Sequence, residues 1–221
     1  MNDYDYIECG DCTRLLKELP DKSVDISFTS PPYNRKRNDK YTFYDDSIED
    51  YYSFLCLVTD EMLRVTKSHV IVNIQKNYYN KKDVFEYIGR YSNKIVEIII
   101  WEKSNPMPAS GFNVTNCYEF FIVLGDKPLK ANSTYVKNHI TTSVNSKMPK
   151  NHKAVMKPEV CEWFIENFTK EDDIVLDPFL GVGTTAVSCV KYNRHYIGFE
   201  ISEDYYNMAC TNLDEVEGLA I

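Results

Sequence analysis

The chain's 221 residues carry 25 Lys and Arg against 33 Asp and Glu, and an even spread of this −8 net charge would argue against a polyanionic partner. An apolar fraction of 43% excludes a disordered chain, and no apolar run approaches the roughly 20 residues that cross a bilayer. The acidic N-terminus argues against a secretory signal and the seven scattered cysteines are typical of a reducing compartment, so we expect a cytoplasmic protein with no membrane partner.

Short apolar runs alternate with amphipathic stretches along the whole chain, and no Pro-, Gly- or Ser-rich linker divides it. The apolar runs predict seven strands, near Tyr6–Cys9, Val24–Thr29, Val70–Ile74, Lys94–Trp101, Tyr118–Leu124, Asp173–Leu176 and Tyr196–Phe199. The amphipathic stretches predict six helices, near Thr13–Leu19, Ile48–Val65, Lys81–Arg90, Pro158–Phe168, Thr185–Tyr192 and Glu203–Leu213. Strands that are apolar on both faces are typical of a parallel sheet covered on both sides. The sequence therefore predicts an α/β fold with a doubly wound, mostly parallel, seven-stranded sheet.

Two long polar segments interrupt this alternation, at residues 33–47 and 126–156. Loops of this length inside a compact domain are usually functional and seldom serve as connections alone. We therefore expect a single domain over residues 1–221 that carries loop insertions near 33–47 and 126–156.

A glycine-containing turn follows the sixth predicted strand. Gly181 and Gly183 let a ligand approach the backbone closely, and the helix that begins near Thr185 offers free N–H groups. With Ala186 and Glu200 the spacing also fits a loose dinucleotide fingerprint, so an NAD-dependent oxidoreductase is an alternative. No Lys-Ser/Thr pair follows the glycines, which argues against a phosphate-binding P-loop. Only about 40 residues follow the turn, so we expect most strands of its sheet to come from upstream, in a circularly permuted order.

The run Ser30-Pro-Pro-Tyr33 closes the second predicted strand, at the end where open α/β sheets bind ligands. Pro31 and Pro32 lack N–H groups and fix the backbone, so the neighbouring carbonyls are rigid acceptors. A rigid carbonyl beside a hydroxyl suits a planar amino group, and Tyr33 offers an aromatic face for stacking. The pattern therefore predicts a receptor for the exocyclic amine of a base.

Two motifs, Thr29-Ser-Pro-Pro-Tyr33 and Asp177-Pro-Phe-Leu-Gly-Val-Gly-Thr-Thr185, together resemble the S-adenosylmethionine-dependent amino-methyltransferases of DNA. Their order is that of the permuted β-class, with the catalytic motif first, and the resemblance covers nearly the whole chain. It implies a Rossmann-like class I methyltransferase fold and site-specific methylation of the exocyclic amine of a flipped base, typical of restriction-modification enzymes. Serine at position 30, where many adenine enzymes carry aspartate, favours cytosine N4. The stretch 101–108 resembles adenine N6 enzymes, so adenine N6 is the alternative, and a non-catalytic cofactor-binding relative is a more distant one.

The same resemblance implies a role for each matching residue. The catalytic residues are Ser30, Pro31, Pro32 and Tyr33. The residues that bind S-adenosylmethionine are Asp11, Cys12, Lys157, Asp177, Phe179, Gly181, Gly183, Thr184, Thr185 and Glu200. No metal is expected, because Cys9-x-x-Cys12 has no second Cys or Cys/His pair at a suitable spacing. No separate target-recognition domain is expected, so specificity comes from loops, a homodimer or a separate specificity partner.

The net charge is unevenly distributed along the chain. Residues 126–157 contain seven Lys and one Asp, and residues 33–40 contain four basic residues and one Asp, so the remainder is strongly acidic. Both basic segments are predicted loops, and one directly follows the catalytic motif, as a DNA-facing rim should. The predicted DNA-binding residues are Arg35, Lys36, Arg37, Lys40, Lys147, Lys150 and Lys153.

Overall fold

The computed structural model describes residues 4–35, 46–106, 114–143 and 156–218, which form eight strands and six helices. The strands are β1 Tyr6–Cys9, β2 Ile26–Thr29, β3 Val70–Ile74, β4 Ile95–Lys103, β5 Tyr118–Leu124, β6 His139–Thr142, β7 Ile174–Asp177 and β8 His195–Glu200. The helices are α1 Cys12–Glu18, α2 Tyr51–Val65, α3 Lys81–Arg90, α4 Pro158–Phe168, α5 Thr184–Lys191 and α6 Glu203–Glu217. Every predicted strand and helix is therefore present, with ends that differ by a few residues.

The strands form one mixed sheet in the order β1-β8-β7-β2-β3-β5-β4-β6. Five of the seven neighbouring pairs are parallel, and both antiparallel pairs involve β5. Seven strands therefore run in one direction and β5 runs in the other. The predicted mostly parallel α/β sheet is confirmed.

Strand β6 lies inside the 126–156 segment, for which the sequence predicts a loop, so the predicted count of seven strands is wrong by one. The strand has only four residues and lies at the edge of the sheet, paired in parallel with β4. Its side chains alternate between exposed and half-buried positions, so the segment lacks the apolar run that identifies a buried strand. The tertiary contact with β4 stabilises a segment whose own sequence gives little strand signal.

Three helices cover each face of the sheet. Helices α1, α2 and α3 pack around a core that includes Leu16, Val65 and Tyr87. Helices α4, α5 and α6 pack on the opposite face, where the rings of Phe164 and Phe121 lie 4.4 Å apart between centroids. Burial of each such side chain contributes about 1.5–3 kcal/mol. This double layer of helices is the doubly wound arrangement that the sequence predicts.

Local capping explains where three of the helices begin. The Asp11 carboxylate accepts a hydrogen bond from the Thr13 backbone N–H at 2.8 Å and caps α1. The Asp50 carboxylate caps α2 in the same way through the Ser53 N–H at 3.1 Å. Pro158 begins α4, at a position where the missing N–H has no helical partner to lose.

The parallel pair of β7 and β2 lies near the centre of the sheet. From this pair the chain continues to β8 on one side and to β3 on the other, which makes it the topological switch point. Open α/β sheets bind their ligands outside the carboxyl ends of the strands at such a point. The glycine turn follows β7 and the Ser30-Pro-Pro-Tyr33 run follows β2, so the fold brings both motifs to the same edge.

Three further observations concern the described residues. None of their helices is long and apolar enough to cross a membrane. Among the same residues, no group of three or more His, Cys, Asp and Glu side chains is placed to hold a metal ion. All seven cysteines are free.

Candidate active site

Asp177, the last residue of β7, is a buried carboxylate held by three donors. Its Oδ1 accepts hydrogen bonds from the Thr29 hydroxyl at 2.6 Å and from the Phe179 backbone N–H at 3.0 Å. Its Oδ2 accepts one from the Thr185 hydroxyl at 2.6 Å. Burial raises the pKa of Asp177 to about 6, against the opposing effect of these donors. The structure thus brings three predicted cofactor residues together and joins them to the strand that carries the base motif.

The glycine turn continues directly from this cluster. Gly181 and Gly183 adopt left-handed backbone angles, with φ of +58° and +87°, which favour glycine. A Cβ on Gly183 would lie 3.1 Å from the Cβ of Ala209 on α6, whereas a Cβ on Gly181 would meet no atom within 4 Å. Thr184 and Thr185 then begin α5, whose first N–H groups have no helical acceptor. The turn therefore presents open backbone beside Gly181 and tight packing at Gly183.

Glu200 ends β8 beside the glycine turn. Its carboxylate accepts hydrogen bonds from the Gly181 N–H at 2.8 Å and the Ser202 N–H at 2.9 Å, and burial raises its pKa. On the neighbouring strand edge, Asp11 is exposed, whereas the Cys12 side chain is buried in the core. Burial raises the pKa of the Cys12 thiol to about 12. The structure thus places Asp11 at the surface of this edge and the Cys12 thiol beneath it.

Lys157 immediately precedes α4, and its side chain is buried. Its Nζ donates to the Ser143 hydroxyl at 3.5 Å. One turn further along α4, the pKa of the Cys161 thiol is raised by burial and by the negative charge of Asp177, and lowered by a hydrogen bond with Thr185. The Cys161 side chain, in the first turn of α4, therefore lies next to the Asp177 cluster.

The Ser30-Pro-Pro-Tyr33 run is held in place by polar side chains from α2 and the β3–α3 connection. The Pro32 carbonyl accepts a hydrogen bond from the Tyr51 hydroxyl at 2.7 Å. The carbonyl of the next residue accepts from the side-chain amides of Asn77 at 2.7 Å and Asn80 at 2.8 Å. These contacts fix the backbone of the motif beyond what the two prolines impose.

The Tyr33 hydroxyl lies in a polar cluster at the carboxyl end of β2. It contacts the Ser30 hydroxyl at 2.9 Å, the Glu119 carboxylate at 3.1 Å and the side-chain oxygen of Asn73. The Ser30 hydroxyl reaches the same Asn73 oxygen at 3.2 Å. Burial, followed by the negative charge of Glu119, raises the pKa of Tyr33 well above its ordinary value, so this phenol stays protonated.

Sequence reasoning missed the residues that complete this cluster. Glu119, the second residue of β5, is 3% exposed, forms an ion pair with Lys103 at the end of β4, and accepts a hydrogen bond from the Gln75 amide at 3.2 Å. The only signal in the sequence is a single polar residue inside an otherwise apolar strand. Asn73 in β3 and Glu119 in β5 both fit that description.

Arg35 is the one predicted DNA-binding residue within the described part of the chain. Its guanidinium lies 5.5 Å from the centroid of the Tyr33 ring and donates to the Gln75 side chain, and its backbone N–H donates to Asp46 at 3.0 Å. Arg35 therefore belongs to the base-motif cluster. The other predicted DNA-binding residues lie outside the described residues: Lys36, Arg37, Lys40, Lys147, Lys150 and Lys153.

The polar groups at the glycine turn fit S-adenosylmethionine better than a dinucleotide. Two carboxylates, Asp177 and Glu200, flank the turn, and they suit a ligand that carries an ammonium group and sugar hydroxyls. A pyrophosphate next to Asp177 would bring two anions together in a buried site. A doubly wound sheet with this acidic turn and a base motif on the adjacent strand defines a class I methyltransferase.

The family follows from a comparison with known proteins. A family described as DNA methylase matches residues 24–211, and the chain belongs to this family. Its members are S-adenosylmethionine-dependent DNA methyltransferases of the N4-cytosine or N6-adenine type. The predicted family and its cofactor are confirmed.

Individual proteins similar to the chain agree with this assignment. The type II methyltransferase M.HinfI of Haemophilus influenzae is 27% identical, over 94% of this chain and 68% of the relative. The structure of PvuII DNA methyltransferase, described as cytosine-N4-specific, superposes with a TM-score of 0.78 at 18% identity, covering 96% of this chain and 89% of that one. The M1.HpyAVI–SAM complex superposes with a TM-score of 0.68 at 23% identity, covering 94% and 98%. The two structures share the fold of this chain.

The contrast between the two turn glycines is open to a stability test. Gly183→Ala should lower the free energy of unfolding by about 2–4 kcal/mol, because it combines a left-handed residue with a clash against Ala209. Gly181→Ala should lower it by only about 1–2 kcal/mol, because it adds the left-handed conformation alone. Denaturant unfolding measures both values, and equal losses would contradict the packing argument.

Proposed function

We propose that the chain transfers a methyl group from S-adenosylmethionine to the exocyclic amine of a base flipped out of DNA, with cytosine N4 as the first choice. The observation that carries the proposal is the buried hydrogen bond from Thr29 to Asp177. It holds the cofactor turn and the base motif one hydrogen bond apart, at the edge where such sheets bind ligands.

On the base side, the chain contributes rigid acceptors and an aromatic face. The Ser30 hydroxyl and the Pro31 carbonyl accept the two amino hydrogens, with the backbone fixed by Pro31 and Pro32. Flipping the base costs a few kcal/mol, and stacking on Tyr33 offsets about 1–3 kcal/mol of it. Two fixed acceptors orient the amine nitrogen for in-line attack, so positioning supplies most of the rate effect.

On the cofactor side, S-adenosylmethionine supplies, when bound, a methyl group on a positively charged sulfur. Asp177 pairs with its ammonium group, Lys157 with its carboxylate and Glu200 with its ribose, while Asp11 and Cys12 line the adenine edge. The wall of this site is completed by Phe179, Gly181, Gly183, Thr184 and Thr185. The carboxylate positions of Asp177 and Glu200 and the backbone of the glycine turn support the roles of those residues.

The choice of target base depends on few residues. Serine at position 30 favours cytosine N4, because many adenine enzymes of this kind carry aspartate there. The stretch 101–108 resembles adenine N6 enzymes and supports the alternative. Both bases present an amine of the same geometry to the motif, so the first choice depends on Ser30 alone.

The proposal also covers how the DNA site is selected and where in the cell the chain acts. It treats residues 1–221 as one methyltransferase domain, with the DNA site selected by loops near 33–47 and 126–156, by a homodimer or by a specificity partner. The basic composition of both segments supports a DNA-facing role. The seven free cysteines support a cytoplasmic setting.

The product identifies the base. DNA from cells that express the chain, digested to nucleosides and analysed by mass spectrometry, should contain N4-methylcytosine, and sequencing of the same DNA should give the site. Cells that express Ser30→Ala supply the control for methylation by the host. Detection of 6-methyladenine without N4-methylcytosine would exclude the first choice.

A variant of Tyr33 can distinguish base binding from cofactor binding. Tyr33→Ala should lower kcat/KM by about 5- to 150-fold, because a stacking contact of about 1–3 kcal/mol is lost. Cofactor affinity measured by calorimetry should change by less than about twofold, since the Tyr33 hydroxyl contacts Ser30, Asn73 and Glu119 on the base side of the site. Loss of cofactor binding in this variant would show that Tyr33 is not a base-stacking residue.

The raised pKa of Asp177 predicts a pH dependence of cofactor binding. As the pH falls below about 6, Asp177 takes up a proton and can no longer pair with an ammonium group. Affinity should therefore fall by about tenfold between pH 7.5 and pH 5, as calorimetry can measure. The pKa of Asp177 is higher in the folded chain than in the unfolded chain, so uptake of this proton stabilises the fold as the pH falls. Unfolding therefore does not explain the loss of cofactor affinity.

Asp177→Asn provides the control for this titration. It should bind the cofactor weakly at every pH in the range, because no carboxylate remains to be protonated. Glu200, whose pKa is also raised by burial, faces the same turn and stays in place in this variant. A Kd that still rises with acid in Asp177→Asn would assign the effect to Glu200.

A further inference from the structure

The buried ion pair beneath the base motif has no place in the function described so far. Glu119 and Lys103 lie one on β5 and one on β4, at the end of the sheet that carries Ser30 and Tyr33. The Glu119 side chain is 4% exposed and that of Lys103 is 21% exposed. A buried charge pair of this kind costs desolvation, and replacement by apolar residues is often neutral or stabilising. Its position next to a binding motif therefore calls for a chemical explanation.

The hydrogen bonds of the cluster determine where the Tyr33 and Ser30 hydroxyl protons point. The Glu119 carboxylate is an acceptor only, and the Asn73 amide is oriented by donation from its Nδ2 to the Phe120 carbonyl at 3.2 Å, so its Oδ1 faces the hydroxyls. The Tyr33 hydroxyl touches both of these acceptors. Because hydrogen bonds to an ionised group are the stronger ones, its proton points at the acceptors and away from Ser30.

The direction of the Tyr33 proton also determines how Ser30 forms its hydrogen bonds. Its two neighbours in the cluster, the Tyr33 oxygen at 2.9 Å and the Asn73 oxygen at 3.2 Å, both act as acceptors toward it. The Ser30 proton therefore points into the cluster, and the oxygen presents lone pairs to the base site. A pocket with this polarity accepts an amine hydrogen and repels a carbonyl oxygen.

We propose that Glu119 is a specificity-determining residue, which makes Ser30 an obligate acceptor and so selects an exocyclic amine over a carbonyl at the flipped base. The inference rests on the proposed function and extends it, since it assigns the discrimination to a residue outside the base motif. Glu119 acts through Tyr33 and is a positioning residue. Lys103 supplies the charge that keeps a buried carboxylate at this point.

The surroundings of Glu119 determine what an isosteric amide would do. Its Oε1 faces two donors, Lys103 Nζ and Gln75 Nε2, whereas its Oε2 faces the Tyr33 hydroxyl. In Glu119→Gln the amide oxygen is held by those two donors, so the amide NH₂ turns toward Tyr33. With the amide donating to its oxygen, the Tyr33 hydroxyl is a poorer acceptor for Ser30, and both hydroxyls compete for the Asn73 oxygen. Tyr33 can then donate to Asn73 or to Ser30, and Ser30 is no longer restricted to donating into the cluster.

The test compares binding of two duplexes that carry the site found by sequencing, with S-adenosylhomocysteine present so that no transfer occurs. One duplex has the natural amine base, and in the other uracil replaces a target cytosine or hypoxanthine replaces a target adenine. Opening the altered pair costs the same for every variant, so the keto-to-amine ratio of Kd, compared between proteins, reports on the pocket alone. Glu119→Gln should lower this ratio by about fivefold, the scale of one neutral hydrogen bond from Ser30 to a base carbonyl.

Two further variants make the result specific. Glu102→Gln changes a half-exposed glutamate on β4 that pairs with His139 at 3.1 Å and, by strand alternation, faces away from Lys103, so it should leave the ratio unchanged. Tyr33→Phe removes the link and should lower the ratio by itself, and adding Glu119→Gln to it should have no further effect. If Glu119→Gln is unstable, Tyr33→Phe alone provides the test, and an unchanged ratio in that variant overturns the inference.

Two other results would overturn the inference. One is an unchanged ratio in a folded Glu119→Gln, and the other is an equal effect of Glu119→Gln with and without the Tyr33 hydroxyl. Failure of the proposed function is a separate outcome, because it would appear beforehand as an absence of methylated DNA from the wild-type chain.

Discussion

The hydrogen bond from the Thr29 hydroxyl to the Asp177 carboxylate, 2.6 Å long and buried, joins residues 148 positions apart in the chain. A buried carboxylate without donors is costly, and a hydrogen bond to an ionised group is stronger than one between neutral groups. The contact requires β2 and β7 to lie side by side with their carboxyl ends level. Because Ser30 follows Thr29 directly and the glycine turn follows Asp177, this single constraint sets the separation of the base motif and the cofactor turn. Alignment of two reactants is the main contribution that a methyl-transfer site can make.

Most of the fold could be predicted because its signals are local. The six helices follow from apolar periodicity and from caps such as Asp11 and Asp50, and the central strands follow from continuous apolar runs. Strand β6 could not be predicted, because its four residues are partly exposed and it exists only through pairing with β4. The antiparallel direction of β5 could not be predicted either, because strand direction and order depend on tertiary pairing and leave no signal in a local stretch of sequence.

The residues of the site likewise separate into those that could be predicted from local sequence and those that could not. Ser30 to Tyr33 and Asp177 to Thr185 are contiguous, so the chemistry of neighbouring residues could be interpreted together. Asn73, Glu119 and Lys103 come from three different strands. Asn73 and Glu119 are each one polar position among apolar ones, and Lys103 ends a strand that also contains Glu97 and Glu102. Such a residue has no partner in its own segment, so only the assembled sheet gives it a chemical role.

The antiparallel direction of β5 explains how a carboxylate reaches the base motif at all. In a parallel sheet the carboxyl end of each strand meets the ligand, so a residue at the start of a strand lies at the far edge. Because β5 runs the other way, its second residue, Glu119, lies one position beyond the Ile74–Phe120 pair that ends the β3 contact, and level with Trp101 near the end of β4. The next outward residue on that face of β4 is Lys103, which compensates the charge. The one strand that departs from the parallel pattern therefore delivers the buried ion pair to the binding edge.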